Sequence, residues 1–139
     1  MAMEFLPTET SFPIISDIEE RIKRIVNIQC IAEEEINTGE VVYLSSEVYP
    51  KGIKKAVSGV IAIGVSQNYI ASGQIGLVLT FGEGIINVGN NFVEKGMYLT
   101  TSTEQGIASA ITGIINPGQI IGISLESGTG IISALITHI

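Results

Sequence analysis

The sequence predicts an all-β protein built from a duplicated β module, and three observations carry that prediction. Hydrophobic residues reach 45% while aromatics are only 6%, so the core has to be assembled from Ile, Val and Leu, side chains that favour pleated, half-buried backbone. Turn signals recur throughout the chain after residue 36, at Asn37-Thr38-Gly39, Tyr49-Pro50-Lys51-Gly52, Ser72-Gly73, Gly82-Glu83-Gly84, Gly89-Asn90-Asn91, Asn116-Pro117-Gly118 and Ser127-Gly128-Thr129-Gly130. They cut it into short strands. The third observation is that the landmarks of one stretch, about residues 39–80, return in order in a second, about residues 95–137.

The matches are specific. Tyr43-Leu44-Ser45-Ser46 answers Tyr98-Leu99-Thr100-Thr101, and Gly52-Ile53 with Ala56-Val57-Ser58 answers Gly106-Ile107 with Ala110-Ile111-Thr112. Ile63-Gly64-Val65-Ser66 answers Ile121-Gly122-Ile123-Ser124, and Gly73 through Thr80 answers Gly130 through Thr137. The offset runs 55 (98 minus 43), 54 (106 minus 52), 58 (121 minus 63) and 57 (130 minus 73), which places the length changes in turns. Four blocks in one order are better explained by a structural repeat than by chance among so many Ile, Gly and Ser.

Residues 1–16 show neither helical nor strand period and form an extended arm, with Pro7 and Pro13 among Phe5, Leu6, Phe12 and Ile14. Four large apolar residues fit either a segment that docks on a partner or a strand packed on its own domain. Ser16-Asp17 followed by Ile18, Ile22 and Ile25 gives a helical stripe, with Ser16 and Glu19 at capping-box spacing and Glu19–Lys23 and Glu20–Arg24 as i,i+4 pairs. A short helix is predicted over residues 17–24, and a single β domain over 17–139. From Val26 the period becomes two, with Val26, Ile28 and Cys30 on one face. Further on, Ile75, Leu77, Leu79 and Phe81 alternate with Gln74, Gly76, Val78 and Thr80, and Ile61, Ile63 and Val65 with Ala62, Gly64 and Ser66. Each pattern predicts one buried face. Gly64 and Gly122 stand mid-strand at matching places, where glycine marks close approach of a neighbouring segment or a β-bulge.

Composition excludes several function classes. The net charge of −7 comes without a basic stripe, which argues against nucleic-acid binding. Gly, Asn, Ser or charge interrupts every apolar run well before the roughly 18 residues of a membrane helix, although mean hydropathy is +0.45. The N-terminal residues lack a basic region followed by an apolar block, so no export signal is predicted. One cysteine, Cys30, forms no intramolecular disulfide and reads as a small buried hydrophobe. His138 is the one histidine and lies next to the last residue, so no Ser-His-Asp or Cys-His arrangement and no zinc set is expected. Gly82–Gly89, GEGIINVG, lacks dinucleotide-loop spacing and reads as a hairpin turn. Glu33-Glu34-Glu35 with Asn37 has hard-cation oxygens but no Asp-rich loop, and reads as a solvated strand end. No catalytic, cofactor or metal site is predicted.

Charge is also unevenly placed. Ten acidic and six basic side chains precede residue 56, whereas from Ala56 onward only Glu83, Glu94, Lys95, Glu104 and Glu126 are charged. A surface so poor in charge predicts cover by copies of the chain or by a partner.

The run NIQCIAEEEINTGEVVYLSS, then VIAIGVSQNYIASGQIGLVLTFGEGIINV, then VEKGMYLTT and IIGISLESGTGIISALIT, is similar to small capsid decoration (cement) proteins of tailed bacteriophages. The resemblance rests on Gly39 to Leu44, Ile63 to Val65, Gly73 to Gly82, Lys95 to Leu99 and Ile121 to Ile123, and spans roughly Val26–Thr137. It departs from the family in IGVS and IGIS for IGVA, in a shortened second opening strand and in a longer N-terminal helix. What it implies is a compact β-barrel or β-tulip without enzymatic activity, made in the host cytoplasm and bound to the outside of the virion capsid. Its implied partners are the major capsid protein and further copies of itself, most often as a trimer. The arm residues Phe5, Leu6, Phe12, Pro13 and Ile14 are then the expected capsid contacts. The competing reading is a carbohydrate- or receptor-binding module of a tail or fibre, with Tyr49 and Tyr69 left to stack on sugar rings.

Overall fold

A computed structural model of the chain describes residues 25–114 and 118–138. The arm with Phe5, Leu6, Phe12, Pro13 and Ile14, the helix expected over 17–24, and Asn116 and Pro117 of one predicted turn lie outside these residues. The described residues are all-β, and none of them is helical. Their strands are β1 (Val26–Ala32), β2 (Val41–Leu44), β3 (Gly52–Lys55), β4 (Ala62–Ser66), β5 (Ile75–Asn87), β6 (Tyr98–Thr101), β7 (Ala108–Ala110), β8 (Gly122–Ser124) and β9 (Ile131–Ile136).

The strands form one sheet in the order β1-β3-β2-β4-β5-β9-β8-β6-β7, with a further pairing of β1 to β5. That extra ladder closes the first five strands into a barrel. β1 lies parallel to β3 through Ile31↔Gly52 and Ala32↔Ile53, and all other ladders are antiparallel. β5 is the hub. Its first half pairs with β1 and β4, and its second half, Gly82 to Asn87, pairs with β9. The predicted reversal at Gly82-Glu83-Gly84, and the hairpin reading of GEGIINVG, are therefore corrected. Gly82 takes a positive φ of 126°, so the chain bends from the barrel toward β9 without turning back.

The one-buried-face expectation also fails, for a reason visible in the two cores. Ile75, Leu77 and Phe81 are 67%, 48% and 44% exposed, whereas Val78 and Leu79, neighbours in sequence, are both buried. Val78 packs inside the barrel with Cys30, Ala32, Ile36, Val42, Ile53 and Ile70. Leu79 packs on the other side of the same strand, with Val41, Val65, Ile86, Leu99, Ile132 and Ile136. Val41 and Val42 of β2 divide in the same way. In β4, Ile61 just before the strand is exposed while Ala62, Val65 and Ser66 are buried. A strand covered on both sides does not alternate.

Beyond the barrel, β6 to β9 are joined as β2 to β5 are. β2 pairs with β3 and β4, and β4 with β5; β6 pairs with β7 and β8, and β8 with β9. Details match too. The bridge Ile36↔Ile70 has its counterpart in Val93↔Gly128. The Gly39 amide donates to Ser66 O at 2.7 Å, and the Gly96 amide to Ser124 O at 2.8 Å. The buried hydroxyls of Ser66 and Ser124 donate to the carbonyls of Asn68 and Glu126, each two residues on. The alignment of Tyr43 with Tyr98 needs correction: Val42 pairs with Gly64 as Leu99 pairs with Gly122, giving an offset of 57 (99 minus 42) at this strand. Ladder position sets the equivalence: the tyrosines occupy different places in it, Ile53 is matched by Ala108 and not Ile107, and Val78, opposite Ser66, is matched by Ala134, opposite Ser124, and not Leu135.

At Gly64 an added Cβ would lie 2.4 Å from Leu79 O, and at Gly122 2.7 Å from Leu135 O. Close approach of the neighbouring strand's carbonyl thus requires glycine at both sites. At Gly64 the ladder to β2 also shifts register, from Val42↔Gly64 to Tyr43↔Ala62, so a bulge accompanies the close approach there.

Candidate interaction surface

The first half concentrates its charge in clamps. Glu33 leaves β1 beside the Ser45–Tyr49 loop and accepts from the amides of Val48 at 2.7 Å, Tyr49 at 2.9 Å and Glu47 at 3.2 Å, and from the Ser45 hydroxyl. Removal from water pushes its carboxyl up, but these donors outweigh that and hold its pKa at about 2. Glu34 accepts from the Lys55 amide at 2.8 Å, and Glu35 from the Tyr69 hydroxyl at 2.7 Å. The Tyr69 hydroxyl is pushed up in pKa by that hydrogen bond to Glu35. The three acids therefore diverge to separate partners. The run follows directly on the end of β1 with Glu35 exposed, as expected of a solvated strand end, and each carboxylate in addition binds a different segment. Among the described residues no group of three or more His, Cys, Asp or Glu is gathered as a metal site.

Glu40 is buried. It accepts from the Asn37 amide at 2.7 Å, and Lys55 Nζ lies 3.8 Å away. The chain around it crosses to the second half, since the Val41 amide donates to Gly106 O at 2.9 Å and the Gly106 amide to Ala56 O at 2.8 Å. Cys30 is a buried free thiol whose pKa is raised by burial. His138 is exposed.

The apolar surface lies elsewhere. On the outer side of the β1–β5 ladder, Gln29 sits opposite Leu77 and Ile31 opposite Ile75. With Cys30, Pro50 and Lys51, three of these (Gln29, Ile31 and Ile75) line an open hollow of about 330 Å³. A second hollow of about 400 Å³ lies where the halves meet, among Ser58, Ile61, Thr100, Thr101 and Gln119. In the second half β7 ends the sheet and leads to Ile114, which is 87% exposed.

No protein-family model and no curated protein sequence matches the chain. Among solved structures, the chain is similar to the N base of head fiber gp8.5 in bacteriophage phi29, with a TM-score of 0.62 and 17% sequence identity. The two share a fold. The match covers 81% of this chain and 93% of that one.

The capsid-contact residues expected in the arm fall outside the described residues. Of the two tyrosines left for stacking, Tyr69 is exposed and its hydroxyl donates to Glu35, and the Tyr49 amide donates to Glu33. The clamp at Glu33 escaped the sequence reading because its donors are backbone amides, which carry no residue signature.

Proposed function

We propose that this protein is a non-enzymatic structural protein of a phage virion that decorates and stabilises the outer surface of an assembled capsid. It acts as a homo-oligomer, a trimer, and the arm residues Phe5, Leu6, Phe12, Pro13 and Ile14 contact the major capsid protein. The observation that carries this reading is the fold shared with a phage head-fibre base over most of both chains. The scarcity of charge after residue 56 supports cover of the second half in an assembly. We also read the two like-ordered halves as an internal duplication, a core unit used twice within one chain.

A second reading is favoured by the same neighbour, which belongs to a head fibre: the chain forms the base of a fibre and carries a receptor- or carbohydrate-binding part outward. Binding of purified protein to empty capsids tests the two. Decoration predicts stoichiometric attachment to bare capsids and sharply weakened attachment when residues 2–13 are deleted. Absence from purified virions, or no binding to empty capsids, contradicts it; binding to a glycan array would favour the fibre reading.

A further inference from the structure

The two mouths of the barrel differ. β1, β3 and β4 run one way and β2 and the first half of β5 the other, so the ends of β1 and β4 share one mouth with the start of β2. There the bridge Ile36↔Ile70 crosses the opening, and both isoleucines are buried in the barrel core. The opposite mouth gathers the starts of β1, β3 and β4, the last residue of β2, and β5 where it reaches Phe81.

At this second mouth the inward face stays uncovered among the described residues. Ile28 sits opposite Val78, Leu44 opposite Ile53, and Phe81 opposite Val26, two residues before Ile28. Residues directly opposite share a face of the sheet, so Ile28, Leu44 and Phe81 continue the inner face that Val78 and Ile53 begin. Val78 and Ile53 are buried in the barrel core, whereas Ile28, Leu44 and Phe81 are all exposed. Ile25 and Ile61, also exposed, stand just before β1 and β4 at the same rim. A monomer seldom gathers five large apolar side chains at one rim without cover.

The cover lies next to it in the chain. Residues 1–24 lead into the barrel at this mouth, through Ile25 and Val26. Of these, residues 17–24 carry Ile18 and Ile22 at helical spacing with Ile25, and the charged Glu19, Glu20, Arg21, Lys23 and Arg24 fall off that stripe. A helix over these residues would be about 12 Å long, enough to cross two to three strands spaced about 4.8 Å apart.

We propose that residues 17–24 of this chain fold across the open mouth of the barrel and seat Ile18 and Ile22 on Ile28, Leu44 and Phe81. The occupant is this segment because a tether of one residue, Ile25, holds it beside the rim at an effective concentration that a separate molecule does not reach. The proposal stands independently of the capsid reading, and it places the root of the arm, residues 1–16, at this end of the barrel.

The chain contains no tryptophan, so Phe81→Trp in the full chain reports on the mouth. The expected result is blue-shifted emission that acrylamide quenches little and that does not change on dilution. Adding Ile18→Asp and Ile22→Asp should shift the emission to the red and raise quenching several-fold, whereas Glu20→Ala, on the opposite side of the stripe, should change neither. A solvent-exposed tryptophan in the parent, or no response to the aspartate pair, overturns the proposal. Emission that reddens on dilution assigns the cover to another copy, and emission that turns blue only with empty capsids assigns it to the capsid; either result overturns it as well. Crosslinking decides the matter if circular dichroism shows that the aspartate pair unfolds the chain. In a Cys30→Ala background, Leu44→Cys combined with Ile18→Cys should be bridged within one chain by a short bismaleimide several times faster than Leu44→Cys combined with Glu20→Cys. Equal rates overturn the docking.

Discussion

The first half of the molecule and the second arrange their strands in one order but secure the outermost strand differently. In the first, β3 is held by a parallel strand and by carboxylates: the Glu33 amide donates to Ile53 O at 2.9 Å, and the Lys55 amide donates to Glu34. In the second, Ala108 takes the ladder position of Ile53, and its carbonyl is met by the side chain of Asn91. Where β1 completes a barrel, β7 remains an edge. The comparison teaches that a strand order can be preserved while closure changes from main-chain pairing to a single amide.

The two halves also share one core, and truncating it gives the largest expected effect. Leu99 and Val42 take equivalent ladder positions, but Leu99 belongs to the cluster that spans both halves and Val42 to the barrel interior. Leu99→Ala should cost about 2–5 kcal/mol, and Val42→Ala less because fewer methyl groups are removed. Chemical denaturation should show one cooperative transition in each variant. Two separated transitions would mean that the halves are independent and that the shared cluster does not couple them.

Next come the paired glycines. Gly64→Ala and Gly122→Ala each force a methyl against the neighbouring carbonyl, and both should cost about 1–3 kcal/mol. Gly64→Ala should be the worse, since its Cβ also meets Val78 Cγ1 at 2.6 Å. Thermal melting of the two variants sharpens the comparison, and an equal or reversed ranking would show that the bulge beside Gly64 gives way.

Much of this was legible in the sequence. Turn chemistry marked the strand boundaries, and the recurrence of IGVS as IGIS located β4 and β8, because glycine is required wherever a carbonyl comes that close. The apolar face of β5 was misread because period-two reasoning assumes water on one side, whereas Val78 and Leu79 each enter a different core. Aligning Tyr43 with Tyr98 misplaced the ladder by two residues, since residue identity is a weaker guide to register than the hydrogen bonds. The clamp at Glu33 went unseen because backbone donors are invisible in a sequence. Asn91 offered only a turn signal, and its reach to Ala108 depends on the path of the chain after β5.

The Glu33 clamp separates the halves by pH. Its pKa lies at about 2 against an ordinary 4.5, so its contribution to stability is present above about pH 4.5 and is lost as pH falls from there toward about 2. Glu33→Gln should lower the melting temperature at neutral pH and flatten the pH dependence in that window, with exchange rising first at the amides of Glu47, Val48 and Tyr49. An unchanged acid profile would mean that other carboxylates govern it.

The difference in closure is tested most directly by native-state hydrogen exchange at two equivalent amides, measured at concentrations dilute enough for monomer. The Ala56 amide donates to Val41 O at 2.8 Å, and the Ile111 amide to Tyr98 O at 2.9 Å, so each ties the outer strand of its half to the next strand inward. The account predicts that Ile111 exchanges faster than Ala56. It also predicts that Asn91→Ala, which removes a bond contributing about 1 kcal/mol, speeds Ile111 by roughly fivefold and leaves Ala56 unchanged. Equal protection of the two amides, or an Asn91→Ala effect felt equally at both, would contradict it.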